Sequence, residues 1–140
     1  MTNKPLKLDQ YFPFFLGTIA NKWASSSSKI YLSEYGIGIA AWRVLASIYD
    51  NGEASSLDVV NHISMDAGAV SRAVTQLEKA GYLQKVSGRF PGRTKPYCLT
   101  GSGIDLYKKI MKTALEREAK LLSGLSKQEK QDLIKIMQKV

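Results

Sequence analysis

Apolar residues recur every three or four positions through most of this chain, a spacing typical of helices that bury one face. The pattern predicts a long first helix over about 9–34 and a second helix over 39–50. Four serines at 25–28 interrupt the first apolar stripe. We expect a tolerated exposed stretch there, with a kink, a break or a polar cavity lining as alternatives. Asn51 and Gly52 then indicate a turn.

Residues 55–81 are predicted to form two short helices joined by a tight turn. Ser55 and Asp58 resemble a capping box, and the helix they begin is expected to turn Leu57, Val60 and Ile63 inward. After a turn at 63–65, Asp66 is predicted to cap the second helix, which ends near Gly81. Its two faces differ in chemistry: Val70, Ala73, Val74 and Leu77 on one side, and Gly68, Ser71, Arg72, Thr75 and Gln76 on the other.

Two predicted strands, 82–86 and 95–99, flank a loop rich in Gly, Pro and Arg. Four basic residues and no acidic residue lie in this stretch: Lys85, Arg89, Arg93 and Lys95. A hairpin of one charge sign directly after a helix with a polar face suits contact with phosphates. The combination predicts a winged helix-turn-helix that binds double-stranded DNA.

The remaining helices lie at the two ends of the chain. Thr100 is predicted to cap a helix that runs to about Ser123. Ser126 and Glu129 are predicted to form a capping box that begins a last helix. The fold class is therefore mainly α with a small β-hairpin wing. We expect one domain over 1–140, with a winged helix-turn-helix core at 36–100. Because that core cannot bury the apolar stripes of 1–35 and 101–140, these segments are predicted to dimerise with a second copy.

Composition narrows the function further. Twenty Lys and Arg against twelve Asp and Glu give a formal charge of +8, which favours a polyanionic partner. No apolar run is long enough to span a membrane and no signal peptide pattern opens the chain, so we expect no membrane partner and a cytoplasmic location. A single cysteine allows no intramolecular disulfide.

The chain offers few residues for catalysis. Its one histidine, His62, is expected to be a partly exposed helix residue. We find no metal-ligand spacing, no phosphate-binding glycine loop and no nucleophile with a base. The sequence therefore predicts a protein that is not an enzyme, with no cofactor, no metal and no catalytic residues.

Several short motifs, in their order and spacing, make the sequence similar to the MarR (multiple antibiotic resistance regulator) family over nearly its whole length. They lie at 35–37, 41–45, 70–72, 77–83, 99–103 and 124–129. The resemblance implies a cytoplasmic homodimer joined through its first, fifth and sixth helices. It also implies a transcriptional repressor that leaves a palindromic operator when a ligand binds.

The sequence departs from the family pattern at two places. Pro91-Gly92-Arg93 stands where the family's wing usually has Asp-x-Arg, although Arg93 can still reach a narrow minor groove. Gly68 replaces a frequent hydroxyl residue, so base readout is expected to rely more on Ser71 and Arg72, or on close backbone approach. The candidate DNA-binding residues are Ser55, Ala67, Gly68, Ser71, Arg72, Gln76, Arg89, Arg93 and Lys95.

The resemblance further implies a small aromatic effector, such as an aromatic acid, a phenolic or an aromatic acyl-CoA, held between the dimerisation helices and the winged domain. The candidate ligand-binding residues are Trp23, Ser27, Ser28, Trp42 and Arg43. Core packing of Trp42 and a salt bridge of Arg43 are the competing interpretations. Two other functions stay open: a repressor that responds to oxidation of Cys98, and a basic nucleic-acid-binding protein without sequence preference.

Overall fold

The protein is described by a computed structural model that covers residues 4–92 and 94–140. After a 3-10 turn at Leu8–Gln10, the elements are α1 (Phe12–Tyr35), α2 (Ile39–Asn51), α3 (Ser56–Ile63), α4 (Ala67–Lys79), β1 (Leu83–Lys85), β2 (Tyr97–Leu99), α5 (Gly101–Leu121) and α6 (Lys127–Met137). This is the predicted fold class, mainly helical with one two-stranded antiparallel hairpin. Over the covered ranges, no helix is both long and apolar enough to cross a membrane.

The core lies where α2, α3, α4 and α5 meet. Helix α2 is central, and it packs against α3, α4, α5 and β2. Its Val44, Leu45 and Ile48 are fully buried, and the end of α1 reaches the same core through Tyr31. Burying four or five such apolar side chains contributes about 1.5–3 kcal/mol each, which makes this cluster the main source of stability for the winged domain.

The predicted helix caps are confirmed. Ser55 and Asp58 exchange both capping-box hydrogen bonds, at 3.2 and 2.9 Å. Thr100 Oγ1 accepts from the backbone N–H of Gly103 at 3.1 Å, and Ser126 Oγ accepts from that of Glu129 at 3.1 Å. Each cap satisfies an N–H group that the first turn of a helix cannot pair internally.

The hairpin pairs Leu83 with Leu99, Gln84 with Cys98 and Lys85 with Tyr97. Its strands are shorter than predicted, although a further hydrogen bond from Val86 to the Pro96 carbonyl extends the ladder at 2.9 Å. Two backbone hydrogen bonds between Ala54 and Tyr97, at 3.0 and 2.8 Å, tie the segment before α3 to β2. The wing is therefore anchored at its base to the helix-turn-helix.

The predicted inner face of α3 was partly wrong. Leu57 is 67% exposed, whereas Val59, which the pattern did not select, is completely buried. Val60 and Ile63 are partly buried, as expected for the edge of the buried face. An eight-residue helix has only two turns, so its apolar residues fit more than one stripe and contact with α2 and α4 decides between them.

The long outer helices agree with prediction except at their ends. Helix α1 begins three residues later than expected, and α5 ends at Leu121 rather than near Ser123. The serine run does not break α1, and the expectation of an exposed stretch was partly wrong, because Ser27 is buried. Much of the apolar stripe of α1 stays exposed in a single chain, since Phe12, Phe15, Leu16 and Ile19 are each more than 40% exposed.

Gly103 allows α5 to lie directly against the base of the wing. A Cβ at this position would collide with the Tyr82 carbonyl oxygen and lie 3.3 Å from Leu99 Cβ. Two residues earlier, a Cβ on Gly101 would meet nothing within 4 Å.

Gly103→Ala should therefore lower the free energy of unfolding by about 1–3 kcal/mol through overpacking, despite the better helix propensity of alanine. Urea denaturation at one fixed protein concentration measures the change. The control Gly101→Ala should match the wild type or exceed it slightly. Equal stability of the two variants would contradict the close packing described here.

Candidate nucleic-acid interface

Helix α4 is held in place by its buried apolar face and by capping interactions at both ends. Val70, Ala73, Val74 and Leu77 are all buried, as predicted from their spacing. At the start of the helix, Asp66 Oδ2 accepts from the backbone N–H of Ala69 at 2.9 Å. The opposite end closes at Gly81, whose φ of 82° only glycine adopts readily, and the Tyr82 N–H donates to the Leu77 carbonyl at 2.9 Å. The outer face of α4 is thereby held in one orientation.

That outer face is polar and open to solvent. Ala67, Ser71, Arg72, Thr75 and Gln76 are exposed, and Gly68 is half-buried between neighbouring side chains. Arg72 forms no ion pair with any described residue, so its guanidinium is available to an anion or a base edge. The structure thus brings together the five residues of α4 that the sequence singled out: Ala67, Gly68, Ser71, Arg72 and Gln76.

Ser55 lies at a different edge of this surface, at the start of α3. Its hydroxyl oxygen accepts the cap hydrogen bond from Asp58, which leaves the hydroxyl proton able to donate outward. A cleft of about 440 Å³ separates this helix start from the wing, and Gly92, Thr94 and Pro96 form its far wall. Ser55 therefore faces the wing across a gap and does not pack against it.

The described cations of the wing are exposed to solvent. Lys85, Arg89 and Lys95 are exposed, and none of them pairs with a described carboxylate. Arg93, the residue expected to enter a minor groove, lies outside the described residues. The exposed side chains of the wing and the polar face of α4 together form a surface with donors and positive charge, which suits a nucleic-acid backbone.

Three of the five candidate ligand-binding residues line two grooves, which share Arg43. One groove of about 460 Å³ lies between α1 and α5 and is mostly apolar, with Trp23, Arg43 and Glu118 among the residues on its walls. The other, about 350 Å³, contains Trp42 and Arg43 and runs between α2, α3 and α5. Arg43 is exposed and makes no ion pair with a described residue, so the intramolecular salt bridge considered from the sequence is not formed.

Trp42 belongs to an aromatic cluster. It packs edge-on against Tyr31 and stacks on Tyr107, which in turn stacks on Tyr49 with ring centroids 3.8 Å apart. Burial, helped by the neighbouring Tyr49, raises the pKa of the Tyr107 hydroxyl above its usual value. Tyr49 is 41% exposed at the end of this stack. Packing is thus one role of Trp42, which also borders a groove.

The two candidate serines do not line either groove. Ser27 is buried, and its hydroxyl accepts from Arg117 Nη2 at 3.0 Å; Ser26 accepts from the same nitrogen at 2.8 Å. Ser28 lies close to Gly38 at the start of α2. Ser27 therefore serves contact between α1 and α5.

Arg117 is the residue that sequence reasoning missed. Its guanidinium carbon lies 4.7 Å from the centre of the Trp23 ring, and its Nε is buried without a hydrogen-bond partner among the described residues. Burial raises the pKa of the nearby Tyr31 hydroxyl, an effect that Arg117 partly offsets. A signal was present in the sequence, because Arg117 falls on the apolar stripe of α5, between Ala114 and Leu121, while its lysines lie elsewhere.

His62 and Cys98 have structural contacts. His62 Nδ1 lies 2.7 Å from Ser47 Oγ and 3.1 Å from Asn51 Nδ2, and its Nε2 faces Asp50 at 3.6 Å. Since the Asn51 nitrogen can only donate, Nδ1 accepts, and the ring links α3 to α2. Cys98 is half-buried, with Gln84 Nε2 3.8 Å from its sulfur.

The geometry defines a winged helix-turn-helix DNA-binding protein. A sequence model described as MarR family matches residues 35–93, which span α2, α3, α4, β1 and the wing loop. Over this stretch the chain is similar to the MarR family of DNA-binding transcriptional regulators.

Similar proteins of known structure share nearly the whole fold. A MarR/EmrR family transcriptional regulator from Acinetobacter sp. ADP1 is 29% identical, with 96% of this chain and 94% of that chain covered and a TM-score of 0.86. The S. aureus MepR–DNA complex is 20% identical, with 94% of each chain covered and a TM-score of 0.77. Among curated proteins, the HTH-type transcriptional repressor IacR of Pseudomonas putida is 20% identical over 130 residues, which are 92% of this chain and 77% of the repressor.

Proposed function

We propose that this regulator is a cytoplasmic homodimeric repressor that binds a palindromic operator and releases it when a small aromatic acid binds. The observation that carries the DNA-binding mode is the exposed, unpaired polar face of α4 beside a wing whose described cations are also unpaired. Repression is supported by the relative IacR, which is named a transcriptional repressor. No residue is assigned a catalytic role in this proposal, and no cofactor or metal is needed.

The DNA contacts divide by chemistry. Helix α4 enters the major groove, where Arg72 offers two parallel donors to a guanine and Ser71 and Gln76 offer single hydrogen bonds. The small residues Ala67 and Gly68 allow the start of the helix to come close to the bases. Ser55, Arg89 and Lys95 hold the phosphate backbone, and Arg93 is assigned to the minor groove.

Dimerisation is supported by apolar surface that one chain leaves uncovered. Phe12, Phe15, Leu16 and Ile19 on α1 are 42–52% exposed, and Ile134 and Ile136 on α6 are 50% and 56% exposed. Exposed apolar patches of this kind mark an interaction surface in a water-soluble chain. A second copy covers them and places two recognition helices on successive major grooves, about 34 Å apart.

The effector is assigned to the groove between α1 and α5. Its apolar walls suit an aromatic ring that stacks on Trp23, and the unpaired Arg43 suits a carboxylate. Arg117 lies over the Trp23 ring, with its guanidinium carbon 4.7 Å from the ring centre. Trp42 borders the second groove, and Ser27 joins α1 to α5 through its hydrogen bond with Arg117. Because Arg43 lies on α2, a ligand there can change how the winged domain sits on the dimerisation helices, and a ligand that prefers the DNA-incompetent arrangement releases the operator.

The assembly is tested by sedimentation equilibrium at micromolar concentration, where we expect a dimer. The double substitution Phe12→Ser and Ile19→Ser should shift the equilibrium toward monomer because it removes apolar area from the interface. A wild type that remains monomeric would contradict the dimer and the palindromic operator together.

Arg72→Ala should weaken binding by about 1–3 kcal/mol and remove the preference at one base pair in each half-site, because a bidentate contact to guanine is lost. Fluorescence anisotropy at one fixed salt concentration, on a duplex selected by the wild type from a random library, provides the measurement. Lys95→Ala serves as a comparison, since a phosphate contact should weaken all duplexes equally. The same uniform loss with Arg72→Ala would reassign Arg72 to the phosphate backbone.

The effector site is tested with benzoate as the probe and the neutral benzamide as its matched control. Benzoate should bind with micromolar-range affinity and release the selected duplex, and Arg43→Ala should weaken it by about tenfold through loss of a charge-assisted pair. Arg43→Ala should leave the affinity for the duplex unchanged when benzoate is absent.

Tryptophan fluorescence distinguishes the two grooves in the same experiment. Benzoate should still quench Trp42→Phe, which retains Trp23, and should lose its signal in Trp23→Phe. The reverse result would move the effector to the groove beside Trp42. Equal affinity for benzoate and benzamide would rule out the carboxylate contact with Arg43.

A further inference from the structure

Gly68, in the first turn of α4, occupies a crowded position. A Cβ built on this residue would lie 3.1 Å from Asp66 Oδ2 and 3.2 Å from Arg72 Nη1. Both separations are shorter than an ordinary van der Waals contact, so a Cβ at position 68 would require its neighbours to shift by a few tenths of an ångström. Because residue 68 has no side chain, the guanidinium of Arg72 can lie close to it.

The placement of Arg72 follows from helix geometry. Side chains of a helix point toward its N-terminus, so a long side chain at one position covers the residue four positions earlier. Arg72 accordingly extends back over Gly68 and places its guanidinium beside the first turn of α4. In helix-turn-helix proteins this is the end of the recognition helix that contacts base edges.

The two neighbours differ in how easily they can move. Asp66 is the N-cap of α4, and its Oδ2 accepts from the Ala69 N–H at 2.9 Å. Displacing it would cost about 0.5–2 kcal/mol of helix stability. Arg72 is exposed, forms no ion pair with a described residue and has several rotatable bonds. A Cβ at position 68 would therefore shift the guanidinium of Arg72 more readily than the cap.

We propose that Gly68 is a specificity-determining residue, which acts by letting Arg72 lie over the start of the recognition helix. This inference rests on the proposed mode of DNA binding. The position of the guanidinium decides which base edge receives its two donors, and guanine O6 and N7 match that pair. A residue with a Cβ at position 68 moves the donors and changes the base pair that the regulator prefers.

A double-mutant cycle tests the proposal, with Gly68→Ala, Arg72→Ala and the combined variant on a duplex that the wild type selects from a random library. Gly68→Ala should bind this duplex about tenfold more weakly, since part of a bidentate contact is lost, and renewed selection should return a changed preference in each half-site. In the Arg72→Ala background, Gly68→Ala should change affinity by less than about twofold. Gly101→Ala, whose Cβ meets nothing, controls for the general effect of the substitution.

Each other outcome overturns the assignment. An equal loss in both backgrounds would mean that Gly68 acts through close approach of its own backbone to DNA, independently of Arg72. No loss in either background would mean that position 68 has no part in readout. Thermal denaturation separates these results from misfolding, because Gly68→Ala should not lower the melting temperature if the Asp66 cap stays in place. A wild type without preference for any duplex would instead overturn the proposed function itself, before any variant is compared.

Discussion

Burial of one side of α4 is the interaction on which the rest of this structure depends. Val70, Ala73, Val74 and Leu77 fix the rotation of the helix about its own axis by packing against α2 and α3. Once that rotation is set, every residue on the opposite side is presented to solvent in a defined order. The same constraint that stabilises the domain therefore creates its DNA-binding surface, and the Asp66 cap and the Gly81 turn limit movement of the helix along its axis.

The cations without a carboxylate partner differ in solvent exposure between the DNA-binding surface and the contact of α1 with α5. On α4 and the wing, Arg72, Arg89 and Lys95 are solvated, so their positive charge costs little and is available to a polyanion. Arg117 is enclosed between α1 and α5, where a charge is expensive unless it is compensated. Two serine hydroxyls and the face of Trp23 provide that compensation without a carboxylate. The first group can respond to DNA, whereas Arg117 mainly fixes the packing of the outer helices.

Helix α2 connects the two sites. Its inner residues Val44, Leu45 and Ile48 pack against the helix-turn-helix, while Arg43 on its outer side borders both grooves. A further contact between α2 and α3 comes from His62, held by Ser47 and Asn51. A change in the position of α2 relative to α1 and α5 would therefore be carried directly to the recognition helix. This is a physical basis for ligand response, because one rigid helix contacts both the proposed effector and the DNA-binding domain.

The sequence by itself determined the features that depend on local chemistry. Capping residues such as Ser55, Asp66 and Thr100 mark helix starts because their side chains satisfy nearby N–H groups, and the long α4 stripe has one possible buried face. Only the tertiary structure decided that Val59 and not Leu57 is buried, that Arg117 holds Trp23, and that Trp23 and Trp42 border separate grooves. These features depend on contacts between residues far apart in the chain, and the distance between two such side chains has no local signal.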